Sequence, residues 1–166
     1  MMENEGRVVK RQKLSNGVIG RPQRTPGASR IFAPYRTVGL VSPTSVPFTS
    51  VPLGKTTFQI TTSVGRSLQT YDLRRGLNLV FITRPQTPEV ITASTAWKDK
   101  VFAAWGGEGK KEARGVWAFK RGKKEAELEL PKGLTENVKS FYVFGSWIIG
   151  VCDKRLLVWK ASTYEL

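Results

Sequence analysis

The chain has no histidine, a single cysteine and two methionines, and its 13 acidic side chains are outnumbered by 27 basic ones. Without an imidazole there is no histidine base to activate a serine or cysteine nucleophile. Paired Cys and His zinc spacings cannot be built either. The lone Cys152 cannot close an internal disulfide, so nothing signals an oxidising compartment, and an intracellular home is expected. The opening MMENEGRVVKRQKLSNGVIGRP has no apolar core for a signal peptide, and no later run approaches the roughly 18 apolar residues of a membrane span. A soluble protein with no membrane partner is the expectation. A formal charge of +14 attracts polyanions, which makes nucleic acid the default partner class. At 166 residues and 40% apolar content the chain can bury a sizeable core.

Residues 1–30 carry seven Lys or Arg against Glu3 and Glu5, with Gly, Pro and Asn between them. Such a stretch cannot bury enough apolar surface to offset its ordering entropy, so it reads as a disordered basic tail. Its cluster Lys10, Arg11, Lys13 fits an RNA contact or an import signal, and equally a solvated tail. Residues 31–55 form an extended, proline-rich lead-in. From Thr37 to Gly54 it has no charge, while Pro43, Pro47 and Pro52 punctuate Val46, Phe48 and Val51. That pattern suits a segment lying along a protein surface, or a long ordered loop. Phe32, Tyr35, Val46 and Phe48 are its candidate protein contacts.

The stretch Thr56–Thr83 sets the register of the remainder. Runs from Phe58, Ser67 to Leu73, and Leu77 to Thr83 are separated by turn signals, predicting an antiparallel meander. A second unit over 89–130 offers strands at Glu89–Ala93, Val101–Trp105, Val116–Phe119 and Ala126–Leu130. A third, over 138–166, offers Val138–Phe144, Trp147–Val151 and Leu156–Lys160. Tyr71, Phe119 and Trp159 close equivalent strands 48 and 40 residues apart, each with an aliphatic residue three positions earlier: Leu68, Val116 and Leu156. Four-strand units of about 40 to 45 residues mark WD-repeat propeller blades. In stacked blades both strand faces are buried, so alternation should be weak, as in Leu156-Leu157-Val158-Trp159. The predicted fold is all-β: about three blades of an incomplete β-propeller over 56–166 (56–83, 89–130, 138–166). Three blades cannot close a ring of at least four, and open ends leave strand edges and apolar faces exposed.

No enzyme assembles from these residues. Gly54-Lys55-Thr56 ends like a phosphate loop, but Thr49 stands where the first glycine belongs. Gly107-x-Gly109 leads to Glu112 instead of a third glycine, so the dinucleotide pattern fails too. Glu125, Glu127 and Glu129 alternate among lysines like one solvated strand face. No cofactor is expected. The five tryptophans suit blade cores better than base stacking, with Trp97 the one expected to be exposed and a candidate protein contact. Lys110, Lys111, Arg114, Lys120, Arg121, Lys123 and Lys124 crowd one hairpin and the following turn. They fit a surface facing RNA phosphates or an acidic partner, and equally a solvated loop. A separate class of reading is a stand-alone propeller that binds acidic or phosphorylated peptides.

Three segments carry a specific resemblance: Arg30-Ile-Phe-Ala-Pro-Tyr-Arg36, TTSVGRSLQTYD at 61–72, and Val101-Phe-Ala-Ala-Trp-Gly106. From about Arg30 onward the chain resembles the amino-terminal part of the WD-repeat protein thirty-six family of U3 small nucleolar RNA-associated proteins. The resemblance implies two tandem propellers and a carboxy-terminal domain in a nucleolar, non-catalytic subunit of the UTP-B subcomplex. It implies as partners the other tandem-propeller proteins of that subcomplex. Within the small-subunit processome it further implies pre-ribosomal RNA, with its 5′ external transcribed spacer, and the U3 small nucleolar ribonucleoprotein that 18S RNA maturation requires. The remaining blades, the second propeller and the carboxy-terminal domain that the resemblance implies are expected to lie outside this sequence.

Overall fold

Turn chemistry dictates the fold. Gly65, Gly122 and Gly145 take positive φ, as do Lys98 and Arg121, and these residues sit in the hairpin turns between strands. In the computed structural model, which describes residues 44–52, 55, 57–75, 77–109 and 112–166, the strands fold into three antiparallel sheets. Blade 1 runs β1 (Thr49–Pro52), β2 (Phe58–Val64), β3 (Ser67–Asp72) and β4 (Asn78–Ile82). Blade 2 follows with β5 (Ile91–Trp97), β6 (Lys100–Gly106), β7 (Arg114–Lys120) and β8 (Lys123–Leu128). Blade 3 has β9 (Ser140–Phe144), β10 (Trp147–Val151) and β11 (Leu156–Lys160). Within each blade the strands pair in chain order, and β5 lies against both β1 and β9, so the first strands of the blades are neighbours. This is the arrangement of consecutive propeller blades. The described residues form one compact unit, with a single 3-10 turn at Leu73–Arg75 and no helix long and apolar enough to cross a membrane.

The seams hold the core. Between blades 2 and 3, Phe102, Val116, Leu128, Ile148, Leu157 and Trp159 are buried together. Between blades 1 and 2 the cluster is Leu68, Ile91, Ala103, Trp105, Trp117 and Phe119, with Trp105 and Trp117 edge to face at 5.6 Å. Blade 1 is more polar inside: Thr61, Thr62, Ser63, Thr70 and Thr83 are all buried. Thr61 and Thr70 share a hydrogen bond of 2.8 Å, and Thr44 bonds Ser63 at 2.7 Å, which offsets much of the desolvation.

The repeat holds in register between blades 2 and 3. Phe119 stands opposite Val101 and Trp159 opposite Ile148, and Val101 and Ile148 each follow the residue, Lys100 or Trp147, that closes a two-residue hairpin with the preceding strand. Tyr71 stands opposite Ile60, two residues after Phe58, so blade 1 is offset by one step. Side chains three apart on a strand point to opposite faces. Thus Phe119 packs toward blade 1 and Val116 toward blade 3. The same logic corrects the expectation for blade 3. Trp159 and Leu157 are buried against blade 2, but Leu156 is 66% and Val158 41% exposed, because no described sheet covers their face. Strict alternation therefore appears in β11. Blade 3 has three described strands, matching the three runs that the sequence offers for that unit.

Blade 1 begins earlier than the sequence pattern suggests. Thr49–Pro52, inside the proline-rich segment, pairs with Phe58–Thr61 as the blade's first strand. Pro52 terminates it where a missing N–H is tolerated. The basic tail at 1–30, with Lys10, Arg11 and Lys13, and also Phe32, Tyr35, Lys110 and Lys111, lies outside the described residues.

Candidate functional site

The β7–β8 hairpin is closed by the pair Lys120 and Lys123 around a two-residue turn, Arg121-Gly122, with φ of 49° and 78°. Both residues are left-handed, the geometry that matches strand twist in tight hairpins. The turn is docked onto the end of blade 1. The Arg84 amide donates to the Gly122 carbonyl at 2.7 Å, and the Lys124 amide donates to the Arg84 carbonyl at 3.2 Å, which sets Arg84 beside Lys123 in an isolated parallel bridge. Three exposed cations from two blades, Arg84, Arg121 and Lys123, are thereby gathered at one seam. None of the three makes an ion pair with a described residue.

The other cations nearby are engaged. Lys120 pairs with Asp99 at 3.0 Å, and that hydrogen bond holds the Asp99 carboxyl below its ordinary range. Lys124 pairs with Glu127 at 2.9 Å and lies 3.6 Å from the centroid of the Trp117 ring. Lys100, mostly buried, pairs with Glu125 at 3.3 Å and donates to the Tyr164 hydroxyl. Glu125 and Glu127 are exposed on β8, as their alternation implies.

The sequence candidates separate in space. Arg114 opens β7 opposite Gly106, while Lys123 and Lys124 lie past its far end, about 20 Å away at the rise of an extended strand. The Arg114 guanidinium closes its own loop, donating to the carbonyls of Gly109 at 2.8 Å and Glu112 at 3.1 Å. Val46 is 7% exposed and packs within this chain, whereas Phe48 is 64% exposed. Trp97 is half-buried and donates to the Gly145 carbonyl at 2.8 Å, tying β5 to the β9–β10 turn, with Lys98 over its ring. Trp105, Trp117 and Trp159 are core; Trp147 is 46% exposed on blade 3. Arg84 was not singled out from the sequence. Its signal is non-local, since only the docking of two blades puts it next to a turn nearly forty residues later.

Beside the Arg121-Gly122 turn a cleft of about 400 Å³ opens between blades 1 and 2, lined by Val51, Val80, Phe81, Val101 and Phe119 together with Arg121 and Gly122. Elsewhere, burial pushes the Cys152 thiol up, which keeps it neutral and unreactive. Among the described residues no group of three or more His, Cys, Asp or Glu is placed to hold a metal ion.

Residues 60–166 match the model of the WDR36/Utp21 first beta-propeller. The chain is 37% identical over 161 residues to U3 small nucleolar RNA-associated protein 21 homolog of Schizosaccharomyces pombe, covering 95% of this chain and 16% of that protein. It is 35% identical over 155 residues to U3 small nucleolar RNA-associated protein 21 of Saccharomyces cerevisiae, covering 93% and 15%. Human WD repeat-containing protein 36 is 34% identical over 142 residues, covering 83% and 14%. The chain thus spans 16% or less of the length of these relatives. A computationally designed protein, Ika8, aligns over 71% of this chain and 34% of its own at a TM-score of 0.49 and 16% identity.

Proposed function

The chain belongs to the WDR36/Utp21 first β-propeller family, and on that premise we propose that it is a non-catalytic scaffold in ribosome biogenesis. Its relatives are named for association with U3 small nucleolar RNA. The finer placement we propose is the UTP-B subcomplex of the small-subunit processome, in the nucleolus, assembling on the 5′ external transcribed spacer and U3 RNA for 18S maturation. Other tandem-propeller proteins are the proposed protein partners. The uncovered apolar faces of blades 1 and 3, with Phe58, Leu79 and Ile82 on one and Tyr142, Phe144 and Leu156 on the other, support a role inside a larger assembly. The domain division we propose remains a basic tail at 1–30, a lead-in from 31, and blades through 166, with the first strand drawn from the lead-in.

The observation that carries the reading is the cation cluster at the seam, set in a chain of charge +14. Lys10, Arg11, Lys13, Lys110, Lys111, Arg114, Lys123 and Lys124 are proposed contacts for RNA or acidic neighbours. Phe32, Tyr35, Val46, Phe48 and Trp97 are proposed for the protein side, with Phe48 the most accessible of the described ones. Ultraviolet crosslinking of the tagged chain in its own cells, followed by sequencing of the bound RNA, tests this. Enrichment of U3 RNA and the 5′ spacer is expected; a crosslink profile no different from an untagged control rejects the RNA-facing assignment.

A further inference from the structure

The two seams are packed differently. Between blades 2 and 3 a continuous cluster running from Ala93 to Trp159 fills the space. Between blades 1 and 2 the aromatic cluster fills only part, and the cleft occupies the rest. Its volume falls in the range of roughly 300–1,000 Å³ typical of ligand pockets. Three threonine hydroxyls reach its wall, and each already holds a hydrogen bond: Thr61 with Thr70, and Thr83 accepting from the Leu68 amide at 2.9 Å. Gln59 is the remaining neutral polar side chain of the lining, and the Asp99 carboxylate is taken by Lys120.

A nucleobase placed in such a cleft would leave most of its polar edge without partners, a costly desolvation. An aliphatic or aromatic side chain would leave nothing unpaired. The rim, however, is cationic and unneutralised. Arg121 lines the cleft, Arg84 is bonded to the neighbouring Gly122, and Lys123 follows it. Charge complementarity therefore selects an acidic occupant with an apolar centre.

We propose that the cleft between blades 1 and 2 receives one bulky apolar side chain of a partner protein, whose acidic flanks reach Arg84, Arg121 and Lys123. The inference rests on the scaffold reading and names the chemistry of one of its partners. Such a site reads an apolar anchor between acidic residues, with the anchor giving affinity and the rim giving orientation and rate of encounter.

The test uses the full chain and fluorescein-labelled Glu-Asp-Glu-Leu-Phe-Asp-Glu-Asp, read by anisotropy. A control peptide carries Gly-Gly in place of Leu-Phe, and a labelled uridine oligonucleotide serves as the nucleic-acid probe. The Leu-Phe peptide should bind about tenfold or more tightly than its Gly-Gly control, the scale of a buried apolar anchor. Arg121→Glu, at an exposed turn, and Val80→Glu, which is 47% exposed at the cleft, should each weaken it by about tenfold while leaving the thermal melt unchanged. Equal binding of both peptides overturns the proposal, as does binding of the uridine oligonucleotide alone, which would assign the rim to nucleic acid. Binding of no probe also overturns it. Sedimentation of the same chain with U3 particles reports the scaffold reading separately, so loss of peptide binding with retained sedimentation rejects the cleft alone.

Discussion

At the scale of single residues, the fit between tryptophan and glycine on adjacent strands decides stability. A Cβ on Gly150 would lie 2.8 Å from Trp159 Cζ3 and 3.2 Å from Val138 Cγ1, in a seam where Trp159 is fully buried and its indole donates to the Glu129 carbonyl. Gly150→Ala should lower stability by about 1–3 kcal/mol, the range for overpacking, measured as the shift of a urea midpoint. Trp159→Ala should cost about 3–5 kcal/mol as a cavity. Lys100 sets the alkaline limit of one contact. Burial pulls its ammonium down, but hydrogen bonds with Tyr164 and Glu125 outweigh this and carry it above its ordinary 10.5. A raised folded value stabilises fully below the unfolded value and fades as pH rises through the folded one. Urea midpoints followed upward from pH 10 should therefore fall more steeply for the native chain than for Lys100→Met.

At the scale of elements, strands with concentrated apolar residues and strong turns were legible, and those without were not. Trp147–Val151 and Leu156–Lys160 run as the sequence pattern implies, and Ser67–Asp72 nearly so. β5 reads as Glu89–Ala93 but spans Ile91–Trp97, because Thr, Ser and Ala carry little apolar signal although the strand is central in its fold. β8 begins at Lys123, ahead of the expected Ala126, since its charged residues form the exposed face of a paired strand. β1 hides among prolines, and only its partner β2 makes it a strand. The seam cluster combines both cases: Arg121 and Lys123 are legible in the sequence as part of a basic turn, while Arg84 joins them through tertiary docking of the Arg121-Gly122 turn. That docking is itself testable. Gly122 has φ of +78°, and a Cβ there would lie 2.8 Å from the Phe81 ring. Gly122→Ala should loosen the turn from blade 1, read as faster hydrogen exchange at the Lys124 amide that bonds Arg84.

At the scale of the whole molecule, charge and uncovered faces govern behaviour more than any pocket does. The exposed Tyr142, Phe144 and Leu156 on blade 3 face no described sheet. Phe144→Lys with Leu156→Lys should raise the concentration at which the chain remains monodisperse in light scattering, with little change in melting temperature. Family membership gives these faces their meaning, since a β-propeller is built by sheet stacking on sheet. The proposed role within a U3-containing particle is tested most directly by gradient sedimentation of the tagged protein from nucleolar extract. The chain should travel with the large particles that carry U3 RNA and leave them when the RNA is digested. A chain that stays at the top of the gradient while intact U3 particles sediment below it would contradict the account.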